Sequence, residues 1–559
     1  MPRMSAGLKP AGWRPPSPAR ARLPAASSGS WAIVAAGAAT LALLGYLLNG
    51  NLRYQVGVGR VSGYSVAETF SHRPIAFRLL SAAQAWLPDL LSGPAGPPGS
   101  WWRVVIFEAG FRLMAAVLAA GAAMLLWAGL RRHWGRAGRP CAIAVYAALV
   151  FTAPATGEPD WMAALLATAA VGAGLAFGPR LAGATAGPLL ALAALVKIST
   201  LPVAAAALLI LCAFDRRRGR TAGAVATLAG LLAVGLTYWL APYEIGWLLD
   251  IRALQPDPWD SGHAVEAGHY LMNLVARWPT VAMLPAYFVG ARRDEAWVAG
   301  AGLALTGFGF VYQGQYFVYH SLGFVVLSAA LAVRTLQRSR GALRWPMLAL
   351  TAWTLVLFVS PGDWRVAHPV RLYLIAGGWI IALTAWQWFA LRRPPTRTHA
   401  AGDRWAALLV MAAMLATQTP FSAESLTLST ADRTSWGAHR ALRSELADAE
   451  RIHRLIGTDT PVAYLAFGAT TYIVGNPTRC RYPSPLFLQR PLAREKVSSA
   501  SRAESLGCLT DPDARWLVWD RDWLRRKSAP DDLLQTIDRH WDCAAARIIG
   551  GYTICPRRT

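Results

Sequence analysis

Thirteen apolar runs constrain this chain more than any other feature: residues 31–48, 104–130, 141–154, 161–177, 181–196, 201–214, 221–241, 281–289, 296–312, 317–333, 345–359, 370–391 and 405–416. A helix rises about 1.5 Å per residue, so roughly 20 apolar residues cross a bilayer. With 54% hydrophobic and only 15% charged residues in 559, the chain lacks the polar surface to hide these runs in water. It reads as a polytopic α-helical membrane protein of about 13 transmembrane helices, several of them shorter than a perpendicular crossing needs.

A net charge of +24 suits nucleic acid at first sight, but the basic residues form no single surface. They alternate with the runs. If the N-terminus is cytoplasmic, the N-terminal tail and alternate loops hold 24 basic residues (from Arg3 and Lys9 through Arg131, Arg132 and Arg216–Arg218 to Arg392 and Arg393) against four acids, whereas the other segments before residue 421 carry 11 of each sign. That asymmetry is the positive-inside rule, and it places the C-terminus outside after an odd number of spans. The partners implied are membrane lipids and not nucleic acid. Residues 1–30 read as a disordered basic cytoplasmic tail and 31–420 as the transmembrane domain. Residues 421–559, with 20 basic and 16 acidic residues and no spanning run, read as a small extracytoplasmic α/β domain. Its helices are expected near 434–456 and 530–541, its strands near 461–467 and 515–519. Cys141 and Cys212 sit in apolar runs as small hydrophobes. Cys480, Cys508, Cys543 and Cys555 read as two disulfides of an oxidising compartment, all three pairings being open.

Acids at the mouth of a membrane hairpin are costly unless they work. Glu158 and Asp160 stand there, in FTAPATGEPDWMAALLAT; their bland alternative is capping of the next helix. The loop 49–102 is too long to be a simple connection, and its apolar periodicity over 75–87 predicts a helix lying on the membrane surface. Within it Glu68 precedes His72, Arg73 and Arg78, an acid beside an anion cradle, or else arginines snorkelling to lipid phosphates. The apolar stretch 182–214 breaks at Lys197, which the fold-back places on the same side. A second outer loop, 242–278, carries Glu244, Asp250, Asp257, Asp260, His263, Glu266 and His269. Further turns add His320 (YQGQYFVYH) and Arg365, His368 and Arg371 (PGDWRVAHPVR). No internal repeat, nucleotide-binding motif or metal-binding motif is present.

An acid in a long first outer loop, GEPDWMAA, LAALVKISTLP, YQGQYFVYH and a C-terminal exported segment containing YLAFGATTYIVGNPTRCRYPSP together resemble the polytopic GT-C glycosyltransferases, over nearly the whole chain. The resemblance implies a polyprenyl-phosphate-linked sugar as donor and a glycan, glycolipid or protein acceptor outside the plasma membrane. It implies a catalytic carboxylate at Glu68, with Glu158 and Asp160 as a second acidic site; since Glu68 has no acidic neighbour, Asp160 is an alternative base. Lys197, His72, Arg73, Arg78, His320, Arg365, His368 and Arg371 are the candidate donor-phosphate and substrate ligands. The resemblance fixes no cofactor and is compatible with a divalent cation. The expected reaction is an inverting displacement in which a carboxylate removes the acceptor proton and cations stabilise the departing phosphate. The competing class is a transporter or flippase of lipid-linked intermediates, whose site is expected near the bilayer midplane. A third is a scaffold without activity.

Overall fold

A computed structural model describes residues 50–152, 156–254, 261–314, 316–339, 341–392, 399–417, 435–484 and 496–559. The expected tail 1–30, the first run 31–48, Asp257 and Asp260 lie outside the described residues, as does the side chain of His263. Each of the twelve later apolar runs coincides with helical structure. Among the described residues, five helical stretches have the length and composition to cross a bilayer: Trp101–Val150, Pro159–Ala176, Arg216–Leu240, Val318–Arg338 and Pro369–Arg392. The first of these is two helices, Trp101–Trp134 and Gly138–Val150, joined at a short 3-10 turn.

Burial divides these helices by role. Pro159–Ala176 is almost wholly enclosed, while the apolar stretch of Arg216–Leu240 has none of its residues buried and turns Leu228, Leu231, Leu232 and Trp239 outward. Lipid is as apolar as leucine, so enclosure must come from close packing, which small residues permit. Gly172 shows how close: a Cβ there would lie 2.4 Å from the Leu126 backbone nitrogen, and one on Gly129 would lie 2.8 Å from the Gly172 carbonyl oxygen. The Trp101–Trp134 and Pro159–Ala176 helices therefore touch backbone to backbone.

The loop 49–102 contains more structure than its periodicity predicted. A helix Gly50–Val61 precedes the expected one, which runs Ile75–Ser92. The latter turns Leu79, Trp86, Leu90 and Leu91 outward and buries Arg78, Ser81 and Gln84, the inverse of a soluble amphipathic helix and the arrangement of one whose outer face meets lipid. The second loop is also helical, at Pro242–Ala253 and Ser261–Arg277. Its polar residues concealed that from a search for apolar runs.

Residues 435–559 hold helices Ser435–Ile456, Ser499–Thr510 and Asp531–His540 and four strands, β1 (Val462–Leu465), β2 (Trp516–Asp520), β3 (Arg547–Ile549) and β4 (Tyr552–Pro556). The sheet order is β1-β2-β4-β3, with β1 and β2 parallel and the rest antiparallel. Disulfides pair Cys480 with Cys508 and Cys543 with Cys555. This segment shares a core with the first loop and the bundle: Leu52, Val56, Ala85, Phe107, Phe111, Leu442, Leu446, Tyr472 and Ile473 form one buried cluster. Backbone bonds stitch the same seam, Thr478 N–H to Val61 O at 2.8 Å and Phe70 N–H to Arg481 O at 2.7 Å. A buried ion pair, Arg53 Nε to Glu108 Oε1 at 2.9 Å, crosses from the Gly50–Val61 helix to Trp101–Trp134.

Candidate active site

The turn before Pro159 is built on Gly157, whose φ of +83° favours glycine and whose absent side chain leaves room for Phe111 and Leu52. Pro159 then starts the helix at its first position. Glu158 occupies the N-cap position but its carboxylate makes no capping bond, so capping does not account for it. Trp161 fastens the first turn by donating its indole N–H to Leu149 O at 2.8 Å. Glu158 and Asp160 are both buried.

Lys197 lies in an extended link between Pro179–Leu195 and the helix Leu201–Phe214, which Pro202 opens. Thr200 holds the link by donating its hydroxyl to Ala193 O at 2.7 Å and Lys197 O at 2.6 Å. The ammonium of Lys197 is 3.5 Å from Asp160 Oδ2 and 3.2 Å from His320 Nε2, and it donates to Gln313 Oε1. Gln313 turns its amide toward Asp160 Oδ1 at 3.5 Å. Three distant segments thus converge on one carboxylate.

The first loop supplies a fourth. His72 has φ of +45°, which among the described residues is the only positive value outside glycine, a strained backbone of the kind that collects at functional sites. Burial first, then the charges of Arg73 and Lys197, hold its imidazole well below the usual range, so it is neutral at pH 7. Arg73 acts electrostatically on both Asp160 and Lys197. Arg78 has a structural role instead. Its guanidinium grips Glu244 at 3.0 Å on both oxygens and donates to the carbonyls of Val66, Ala67 and Arg73. It shapes the loop that presents His72 and Arg73.

The remaining sequence candidates stand elsewhere. Glu68 accepts from the Ser65 hydroxyl at 2.7 Å, and hydrogen bonds from Ser65 hold its carboxyl below the usual range; the charge near it is Arg481, not Lys197. Arg365 is fully buried and donates to the carbonyls of Leu357 and Ser360, closing the end of the Arg344–Val359 helix. His368 bonds the Trp364 carbonyl and stacks on its ring, and Arg371 is exposed. Sequence reasoning passed over Gln313, although it stands in YQGQYFVYH, and Tyr54, which had no spacing to mark it. Among the described residues the hydroxyls of Tyr54, Tyr482, Thr156 and Ser199 and Nε of Arg73 are buried without a hydrogen-bond partner. Buried polar atoms are ordinarily satisfied, so Arg73 Nε and the Tyr54 hydroxyl, whose ring stacks on His72, fit a site completed by a polar ligand. Also among the described residues, no group of three or more His, Cys, Asp or Glu side chains is placed to hold a metal ion.

No protein-family model and no curated protein matches the chain. Solved structures do. ArnT from Cupriavidus metallidurans in the apo state is similar at 14% identity and TM-score 0.53, over 94% of this chain and 98% of that one. The same protein bound to undecaprenyl phosphate is similar at 14% and 0.53, over 95% and 98%. The arabinosyltransferase EmbB from Mycobacterium smegmatis is a looser likeness, at 17% and 0.39 over 71% of this chain and 42% of that one. With its apolar helices and this likeness across the chain, the protein is a multi-pass membrane protein of the GT-C fold.

Proposed function

We propose that the protein is a membrane glycosyltransferase that moves a sugar from a polyprenyl-phosphate donor to an envelope glycan, glycolipid or protein acceptor. The observation that carries this reading is the convergence of Asp160, Glu158, Lys197, Arg73, His72, Gln313 and His320 from four separate segments. A GT-C fold shared with a protein that binds undecaprenyl phosphate supports the donor class.

Arg73 and Lys197 hold the donor phosphate, and Asp160, oriented by Lys197 and Gln313, serves as general base. The acceptor oxygen forms a bond to the anomeric carbon as the bond from that carbon to the phosphate oxygen breaks, inverting the centre. The acceptor proton passes to Asp160, and the electron pair leaves with polyprenyl phosphate, whose charge the two cations stabilise. Neutral His72 adds no charge, and His320 hydrogen-bonds beside Lys197. Glu158 orients the sugar hydroxyls. Glu68 is not the base in this scheme, because its partners are at the surface.

The site faces the extracytoplasmic side of the plasma membrane, with about 13 crossings and residues 421–559 outside. Two disulfides in that segment and the charge asymmetry of the loops support this orientation. The test is purified protein in liposomes holding the total polyprenyl-lipid extract of the producing strain. Incorporation of sugar into an added envelope fraction is the expected result. Movement of the lipid across the bilayer without incorporation would replace this reading with that of a flippase.

A further inference from the structure

Behind the loop that presents His72 and Arg73, the helices Gly50–Val61 and Ile75–Ser92 border a cavity of about 220 Å³. Val56, Val58, Val66, Ala82, Ala85 and Trp86 give it apolar walls. Most of its polar walls satisfy one another. Gln55 donates to Ser71 O at 3.0 Å and accepts from the Ser71 hydroxyl, Thr69 donates to the Ser62 hydroxyl at 2.8 Å, and Arg78 is bound to Glu244. The interior that remains is chiefly apolar. Such a space holds water poorly, and left empty it forfeits the contacts of every atom in its lining.

The rim carries charge. Trp86 is 67% exposed there, on the lipid-facing side of Ile75–Ser92, and Asp89 stands one turn further along the same helix. Asp89 pairs with Arg60, whose guanidinium lies 4.1 Å above the Phe107 ring and is held in place by it. Both bonds from Arg60, through Nε at 3.0 Å and through Nη2, fall on Asp89 Oδ1. Among the described residues no side chain bonds Asp89 Oδ2 or Arg60 Nη1. Arg103 acts electrostatically on both groups, and of its own donors only Nη1 is engaged, with Gly96 O at 3.3 Å. Two guanidiniums and one carboxylate thus meet at the edge of an apolar cavity, each with bonding capacity left over. Exposed Trp102 beside Arg103 and Trp86 beside Asp89 are the residue type that collects at the level of lipid headgroups.

We propose that the cavity and its charged rim bind one phospholipid whose headgroup carries both a phosphate and a primary ammonium, phosphatidylethanolamine. Arg60 Nη1 and Arg103 hold the phosphate, Asp89 Oδ2 accepts from the ammonium, and one acyl chain enters between Trp86 and Val56. A quaternary ammonium has no N–H to give, and a glycerol headgroup has no cation, so the carboxylate selects among lipids that all bring a phosphate. The site lies apart from Asp160 and Lys197. Ser71 in its wall is next to His72, however, so an occupant packs against the back of the loop that presents His72 and Arg73. Binding needs no turnover, and its failure leaves the transferase reading untouched.

The test uses the full-length protein, delipidated in detergent, with dioleoyl phosphatidylethanolamine, phosphatidylglycerol or phosphatidylcholine added and bound lipid counted by native mass spectrometry. Phosphatidylethanolamine is expected to bind about tenfold more tightly than either of the others, the worth of one hydrogen bond to a charged group. Asp89→Asn brings it level with phosphatidylglycerol. Arg103→Gln weakens all three by about tenfold on the same basis. Ala82→Phe fills the cavity and blocks all three without lowering the unfolding temperature, a combination that a folding defect would not give. Equal affinity of the wild type for the three lipids overturns the proposal, as does a folded Ala82→Phe protein that binds them like the wild type. If Ala82→Phe does not fold, Arg103→Gln decides, because its half-exposed side chain is not part of the core; unchanged affinity for phosphatidylethanolamine then overturns the proposal. Chain-free glycerophosphoethanolamine that binds as tightly as the whole lipid also overturns it, since the cavity would then contribute nothing.

Discussion

Replacing Asp160 with asparagine removes one negative charge and almost no volume. The carboxylate stands 3.5 Å from the Lys197 ammonium with both side chains nearly enclosed. Two unit charges at that separation attract by about 5 kcal/mol at an effective dielectric of about 20. Losing one member of a buried pair costs roughly 3–5 kcal/mol, from which about 1 kcal/mol is recovered through the hydrogen bonds that asparagine can still accept. The protein should therefore lose about 2–4 kcal/mol of stability, seen as a lower unfolding temperature in detergent by scanning fluorimetry. Loss of the general base lowers the chemical step by about 10²–10⁴-fold, or roughly 3–5 kcal/mol of barrier. The two effects separate by assay, since single-turnover sugar transfer below the melting temperature reads only the second. An Asp160→Asn protein that is folded, binds donor, and transfers sugar within about threefold of the wild-type rate would refute the assignment of the base.

Other substitutions probe the rest. Lys197→Ala and Arg73→Ala should each raise the donor KM by about tenfold to a hundredfold, the worth of one hydrogen bond to a charged group, as measured in a donor titration. Glu68→Gln should change the transfer rate by less than about threefold, because an exposed carboxylate held by Ser65 loses little when neutralised; a collapse of activity would return the base to the first loop. Gly172→Val should cost roughly 3 kcal/mol or more by forcing the helix through Asp160 away from Leu126, visible as poor yield of monodisperse protein. Replacing Cys480 and Cys508 by serine opens a loop spanning 28 residues and should cost about 3.5 kcal/mol by chain entropy, measured as a fall in unfolding temperature; reductant, which also opens Cys543–Cys555, should lower the wild type further.

The legible part of this protein was whatever repeats or concentrates locally. The membrane class, the positions of the apolar helices, and a helix over 75–87 that the structure extends to Ser92 followed from apolar runs and period, because lipid demands long, internally bonded segments. Glu158, Asp160 and Lys197 stood out because a charge among apolar residues is costly wherever it is placed. Polar helices were not visible by that route: Gly50–Val61 carries Arg53, Gln55 and Arg60 and showed no run to find. Nor could sequence separate Arg78 from Arg73, five residues apart, one bound to Glu244 and the other acting on Asp160.

What the sequence determined by itself was which segments are apolar enough for lipid and how charge alternates among the loops, since both depend only on composition along the chain. Which acid meets which cation was decided by tertiary structure alone. Lys197, Gln313 and His320 are more than a hundred residues apart at the extremes and meet where the helix ahead of Gln313 closes on the link after Lys197, a Cβ on Gly309 lying 3.0 Å from the Ser199 carbonyl oxygen. Contact between remote side chains depends on helix crossings of a few ångströms, and nothing in local pattern encodes a distance.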